Sequence, residues 1–156
     1  QVIQKLLSSM LGDDYFKKAP PKSTGRDLFN PDWLNHHLTI NDCLNQKPED
    51  IQATLLALTT QSIAHALKQH APKTMSLLIC GGGIKNSHLI AQIKNACTWI
   101  PQENIQSTAA RGVDPQTVEA GAFAWLAWAH KRKQPANLPA VTGAKGLRVL
   151  GAHYPA

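Results

Sequence analysis

Apolar residues recur at helical spacing over several stretches of the chain, and short apolar runs lie between the later ones. The spacing predicts helices over residues 2–11, from Pro31 onward, from Pro48 to about Gln69, over 87–97 and over 115–131. The short runs predict strands over 75–80, 104–108 and 147–150, and the segment 13–29 reads as a loop. We therefore predict an α/β chain, with a helical segment over 1–72 before an α/β core over 73–156.

The first of these strands leads into a run of glycines. The apolar run 75–80 has the composition of a buried strand, Gly81, Gly82 and Gly83 follow it, and Asn86 or the serine after it can cap the next helix. Bare backbone lets a phosphate or a sugar approach closely, and a helix N-terminus favours an anion, so we expect a nucleotide here. The alternative is that the glycines only allow the helix to pack tightly on the sheet.

The residue sequence of this turn excludes two common nucleotide-binding motifs. A P-loop has a glycine, four further residues and then Gly-Lys-Ser/Thr, whereas here the four residues after Gly81 are followed by Asn86-Ser87. The dinucleotide fingerprint needs a glycine at the position of Asn86. The turn is therefore a glycine motif of another kind.

The helix predicted over 115–131 is apolar nearly all round, so we expect it to be buried. Gly121 in its interior costs about 1 kcal/mol against alanine, which suggests that a backbone or a ligand passes close by. Glu119 is the lone carboxylate of this helix, and a buried carboxylate must be paired or hydrogen-bonded. It is either a structural residue bonded to loop amides or a lysine, or an acceptor for the hydroxyl or amide protons of a polar ligand.

The loop from Pro20 to Asp27 is a further candidate. Lys22, Ser23 and Thr24 could hold an anion in a cleft. Such a run of proline, glycine and small polar residues is also typical of a surface turn.

Composition and charge limit the function classes. The net charge of +6 is dispersed and no aromatic residues lie among the basic ones, so we do not expect nucleic-acid binding. No apolar run approaches the length of a membrane span, and no signal segment opens the chain. Because an amphipathic pattern begins immediately after Gln1, we expect an excised fragment or a processed product.

Cysteine and histidine usage argues against disulfides and metals. Cys43, Cys80 and Cys97 are odd in number without close pairing, which indicates a reducing compartment. We expect Cys80 to be a small buried hydrophobe rather than a nucleophile. The seven histidines lack ligand spacing, so no metal site is expected.

Several blocks together resemble one family over essentially the whole chain. They are Pro20–Asn30 with Trp33-Leu34, Asp50–Leu55 with Leu58-Thr59, Gly81–Gly83 with Asn86, Gly112–Pro115, Val118–Ala120 with 123–127, Thr142–Ala144 and Leu150-Gly151. In this order the blocks are similar to those of anhydro-N-acetylmuramic acid kinase. The chain departs from the family at Asp27, where glutamate is usual, and at 107–110, where a Thr-Thr-Asp-like stretch is more common.

The resemblance implies a bacterial cytoplasmic kinase of cell-wall (peptidoglycan) recycling and amino-sugar metabolism, which uses ATP and magnesium. Such an enzyme opens the 1,6-anhydro ring of anhydro-N-acetylmuramic acid with water and transfers the γ-phosphate to the 6-oxygen, which yields N-acetylmuramic acid 6-phosphate. The implied fold is the C-terminal lobe of a two-lobed, actin-like (ribonuclease H-like) sugar kinase, with extra helices at its N-terminal side.

The resemblance also distributes the roles. It places Gly81, Gly82, Gly83 and Asn86 on the nucleotide side and Glu119 on the sugar side. The family's phosphate loop and base aspartate belong to an N-terminal lobe that this chain lacks, so no catalytic residue is expected here and the chain alone should be inactive. Its partners would be ATP, the anhydro sugar and its own N-terminal lobe, with a homodimer left open. The alternatives are a stand-alone nucleotide-binding sensor or a regulatory module of the same fold.

Overall fold

A computed structural model describes residues 1–154 of the chain. The helices are α1 (Gln4–Leu11), α2 (Asp14–Lys17), α3 (Pro31–Ile40), α4 (Pro48–His70), α5 (Ser87–Ala96), α6 (Val118–Lys131) and α7 (Pro139–Thr142). The strands are β1 (Leu77–Ile79) and β2 (Ile105–Ser107), and single 3₁₀ turns occupy Gly82–Lys85, Gln102–Asn104 and Thr108–Arg111.

The starts of the helices follow from their first residues. Asn30 caps α3, since its side chain accepts a hydrogen bond from the backbone N–H of Trp33, and Pro31 takes the first helical position. Asn86 caps α5 in the same way, 3.0 Å from the backbone nitrogen of Leu89. The helices predicted at these positions are confirmed.

Helix α4 belongs to two hydrophobic clusters. Its middle packs with α1 and α3 in a cluster formed by Leu6, Leu7, Met10, Leu38, Cys43 and Leu58. Its C-terminal half packs with α5 and the strands in a second cluster formed by Ala64, Ile93, Cys97, Ile100 and Ile105. One long helix therefore holds the helical segment against the sheet.

The two strands pair in parallel. Leu77 lies opposite Ile105, and Ile79 lies opposite Ser107. Helix α5 makes the crossover between them, as a parallel pair requires, so the mixed α/β character is confirmed.

The first strand is shorter and more exposed than we predicted. Its outer residues, Leu77 and Ile79, face the second cluster, whereas Leu78 points away from it and is 42% exposed. Cys80 is exposed rather than buried, because the strand ends at Ile79 and Cys80 lies beyond it. Cys97, by contrast, is fully buried, and burial raises the pKa of its thiol.

The prediction that the helix 115–131 is buried was wrong. The helix begins at Val118, and Phe123, Trp125 and Trp128 are 71%, 52% and 46% exposed. Ala129 is the only α6 residue that is fully covered. The physical reason is that neither hydrophobic cluster within residues 1–154 includes a residue of α6, so most of its apolar side chains have no neighbour that covers them.

Two further predictions fail at the ends of the chain. Residues 147–150 form no strand, because the backbone of Arg148 hydrogen-bonds to Ala136 and to the side chain of Asn137 instead of to a sheet. The predicted loop 13–29 contains the short helix α2, which Asp13 caps by accepting from Tyr15. Among residues 1–154 no helix is long and apolar enough to cross a membrane.

Thr54 offers a test of the packing between α1 and α4. Its side chain is fully buried, and its hydroxyl accepts from the backbone nitrogen of Ile3 at 2.9 Å while donating to the carbonyl of Asp50. Replacing Thr54 by valine keeps the shape of the side chain and leaves the partly buried N–H of Ile3 without an acceptor. Thr54→Val should therefore lower the free energy of unfolding by about 1–3 kcal/mol in urea denaturation of the intact protein.

The matched control is Thr59→Val on the same helix. The Thr59 side chain is exposed, and its hydroxyl bonds only to the Leu55 carbonyl within the helix. We expect a change within about 0.5 kcal/mol there. Equal losses for the two variants would show that the contact between α1 and α4 contributes nothing specific.

Candidate functional site

The carboxyl ends of the two strands meet at one edge of the sheet. The glycine turn, Gly81–Gly83, follows β1, and the 3₁₀ turn Thr108–Arg111 follows β2. Because Ile79 and Ser107 are register partners, both turns lie at the same edge. In open α/β sheets this is the edge at which ligands bind.

The three glycines of the turn serve different purposes. Gly81 has a φ of +78°, a backbone conformation that residues with a side chain rarely adopt. A Cβ at Gly82 would meet no atom within 4 Å, so its position faces open space. A Cβ at Gly83 would lie 3.3 Å from Cδ2 of Leu89, so this glycine allows α5 to pack closely. The packing alternative therefore applies to Gly83, while Gly82 leaves room for a ligand.

Asn86 combines a structural position with an opening beside it. Its Oδ1 atom caps α5, and the residue lines a cavity of about 550 Å³ between the start of α4 and the start of α5. The other lining residues are Pro48, Glu49, Gln52, Ala53, Leu56 and His88. Apolar walls with a few amide and carboxylate groups are typical of small-molecule sites.

The loop before α6 is hydrogen-bonded to the glycine turn. The backbone N–H of Gly81 donates to the carbonyl of Pro115 at 2.8 Å, and the Nε2 group of Gln116 donates to the carbonyl of Gly81 at 3.1 Å. Sequence reasoning missed both contacts, because a bond between residues 35 positions apart leaves no periodic signal.

Glu119 lies in the first turn of α6 and is exposed. The expectation that it is a buried carboxylate was wrong, because α6 itself is largely uncovered. Among residues 1–154 no hydrogen bond or ion pair engages its carboxylate. The described residues thus do not supply the partners that the structural alternative requires, and the carboxylate is accessible to a ligand.

The loop containing Lys22, Ser23 and Thr24 lies against other elements. The Nζ atom of Lys22 donates to the carbonyl of Tyr15 at 3.0 Å and lies 4.7 Å from the centre of the Tyr15 ring. Ser23 and Thr24 are exposed, and within residues 1–154 no hydrogen bond connects this loop to the glycine turn. Lys22 therefore holds the end of α2 in this structure, and a role in a cleft stays a prediction.

The turn that follows β2 adds polar and charged groups to the edge. The hydroxyl of Thr108 is buried without a hydrogen-bond partner among residues 1–154. Arg111 and, in the glycine-side turn, Lys85 are exposed, and no ion pair among these residues involves either. Uncompensated positive charge beside a glycine turn favours an anionic ligand.

Metal-binding groups are not grouped in the part of the chain that the structure describes. Residues 1–154 contain no cluster of three histidine, cysteine, aspartate or glutamate side chains that could hold a metal ion. The candidate site thus comprises the open glycine turn, the cavity beside Asn86 and the exposed carboxylate of Glu119. The loop 112–117 connects the glycine turn to the helix that carries Glu119.

Comparison with known proteins gives one consistent result. A family model described as anhydro-N-acetylmuramic acid kinase matches residues 1–156. Proteins named anhydro-N-acetylmuramic acid kinase from Burkholderia orbicola and Pseudomonas syringae pv. syringae are 50% and 49% identical to this chain over 152 and 156 residues. A protein of the same name from Chromobacterium violaceum is 45% identical over 150 residues.

The matches cover nearly all of this chain and less than half of each relative. The covered share of the chain is 96% for the Burkholderia protein and 100% for the Pseudomonas protein, whereas the covered shares of those proteins are 39% and 42%. The chain thus spans about two fifths of the length of the curated relatives that it matches.

Proposed function

The chain belongs to the anhydro-N-acetylmuramic acid kinase family, and we propose that it forms the C-terminal lobe of such a kinase. The proposed reaction opens the 1,6-anhydro ring with water while the γ-phosphate of ATP passes to the 6-oxygen, and N-acetylmuramic acid 6-phosphate is the product. The observation that carries the proposal is the open glycine turn at the carboxyl edge of a parallel strand pair, in a chain that matches the family throughout. The setting is peptidoglycan recycling in the bacterial cytoplasm.

The glycine turn provides the nucleotide side. The space at Gly82 admits the adenosine against bare backbone, and the cavity beside Asn86 offers amide groups for its polar edge. The exposed cations Lys85 and Arg111 add a positive potential that attracts a polyanion such as ATP. These features fit a nucleotide better than they fit a neutral ligand.

Glu119 provides the sugar side. An exposed carboxylate without an internal partner can accept hydrogen bonds from sugar hydroxyl or amide groups. Its helix begins directly after the loop that is bonded to the glycine turn, so sugar and nucleotide would lie at neighbouring parts of one site.

The remaining parts of the chemistry are assigned to the N-terminal lobe. A base that activates water typically contributes about 10²–10⁴ in rate, and a phosphate clamp contributes further by orienting the transferring group. Magnesium would enter with ATP, and we assign none of the described residues to it.

The function is tested by following the product. The intact protein, with ATP, magnesium and anhydro-N-acetylmuramic acid, should form the 6-phosphate of N-acetylmuramic acid, detectable by mass spectrometry. The segment 1–156 alone should form none, because the base and the phosphate clamp lie outside it. Turnover by the segment alone would contradict the assignment of roles, and no turnover by the intact protein would contradict the proposed reaction.

Gly82→Val in the intact protein should raise the KM for ATP far more than the KM for the sugar. The branched side chain would occupy the open space where backbone meets nucleotide, and its Cβ would meet no other atom within 4 Å. The melting temperature should therefore change little. A folded variant with equal effects on both KM values would show that this glycine does not face the nucleotide.

Glu119→Gln should impair the use of the sugar and leave the binding of ATP in the absence of the sugar unchanged. The substitution replaces one charged acceptor by an amide, and a hydrogen bond to a charged group contributes roughly 1.5–3 kcal/mol, so kcat/KM for the sugar should fall roughly 10- to 150-fold. Because no described residue bonds to Glu119, the melting temperature should stay the same.

Glu103→Gln is the matched control for this substitution. Glu103 is also exposed, and it lies at the opposite end of β2 from the site. It should leave both KM values unchanged. A Glu119→Gln variant with normal sugar kinetics would end the assignment.

A further inference from the structure

The main chain of Gly81 has little conformational preference of its own. Its φ of +78° and ψ of −176° lie in a region that only glycine occupies readily, and glycine occupies many other regions equally well. Something outside the residue must therefore select this conformation. Two contacts do so, one on each polar group of Gly81: the carbonyl of Pro115 on its N–H and the Nε2 group of Gln116 on its carbonyl.

Gln116 is itself held in place by the residue two positions before it. Its backbone N–H donates to Oδ1 of Asp114 at 2.8 Å, and the hydroxyl of Thr117 donates to the carbonyl of Asp114 at 3.0 Å. These bonds form a compact turn at 114–117. The Gln116 side chain therefore reaches Gly81 from a fixed base.

The same turn leads directly into α6. The carbonyl of Thr117 accepts from the backbone N–H of Gly121 at 2.8 Å, which fixes the first helical turn that carries Glu119. A path of hydrogen bonds thus joins Gly81 to the turn at 114–117 and that turn to Gly121, in the helical turn that carries Glu119. Gln116 is exposed, and its side chain belongs to neither hydrophobic cluster.

We propose that Gln116 is a positioning residue that couples the nucleotide side of the site to the sugar side. The proposal rests on the proposed function, since it takes Gly81–Gly83 and Glu119 as the two sides. A nucleotide that contacts the glycine turn favours the conformation in which Gly81 is bonded to Gln116, and this conformation holds the start of α6 where Glu119 meets the sugar. By linkage, each ligand then raises the affinity for the other by the same factor.

The coupling can be measured directly in the intact kinase. Titration calorimetry gives the Kd of a non-hydrolysable ATP analogue without the sugar and with saturating anhydro-N-acetylmuramic acid, and the ratio of the two values is the coupling factor. We expect a factor above 1 for the unmodified protein. Gln116→Met keeps the length of the side chain and removes the donor. Because one hydrogen bond is lost, the coupling factor should fall about 2- to 10-fold, or to 1 where the unmodified factor is smaller than that.

Two further variants separate positioning from general stability. Gln116→Lys restores a donor at similar reach and should return the coupling factor to within about twofold of the unmodified value. Gln102→Met removes a bond of the same type and length, from Nε2 of Gln102 to the carbonyl of Lys94 at 3.1 Å, at an exposed position away from the site. It should leave the coupling factor unchanged.

The outcomes distinguish the inference from the function on which it rests. A coupling factor of 1 in the unmodified protein, or an unchanged factor in Gln116→Met, would overturn the role of Gln116 while the kinase assignment stands. That role is likewise overturned if Gln116→Met only lowers the melting temperature. If the unmodified protein binds neither ligand, the proposed function itself fails, and the role of Gln116 falls with it.

Discussion

The parallel pairing of β1 with β2 is the contact on which the arrangement of the site depends. Because Ile79 and Ser107 are register partners, the chain leaves both strands at the same edge, and the glycine turn comes to lie beside the turn after β2. A shift of one residue would move Leu77 and Ile79 from the cluster side to the exposed side, so burial fixes the register. The strands carry no candidate ligand contact themselves, and their role is to set where the two turns meet.

Helix α4 transmits this arrangement to the rest of the chain. At 23 residues it is about 35 Å long, enough to contribute Leu58 to one hydrophobic cluster and Ala64 to the other. Its first turns also form one wall of the cavity at Asn86. The helical segment that precedes the sheet therefore contributes to the candidate site, since α4 both packs against α1 and α3 and lines the cavity at Asn86.

The sequence predicts the features whose cause is local. Helices α1, α3, α4 and α5 bury one face each against a neighbour, so their periodicity is visible, and Asn30 and Asn86 mark helix starts by capping chemistry. What depends on distant partners is not predictable in this way. The apolar composition of α6 predicts that the helix is covered but does not identify the element that covers it. Residues 147–150 have the composition of a strand, although the backbone of Arg148 is hydrogen-bonded to Asn137 and Ala136.

The exposed large side chains also show what maintains the site. They are concentrated on α6 and after it, where Phe123, Trp125 and Leu138 are all more than half exposed, and burial there cannot fix the position of Glu119. Two hydrogen bonds instead join the loop before α6 to the glycine turn, one from the backbone N–H of Gly81 to the carbonyl of Pro115 and one from Nε2 of Gln116 to the carbonyl of Gly81. The geometry of a site that is held by a few hydrogen bonds between loops changes when one polar group is lost. The stability of the two hydrophobic clusters changes instead when the volume of a buried side chain changes. Polar substitutions in 114–117 should therefore affect ligand binding before they affect folding.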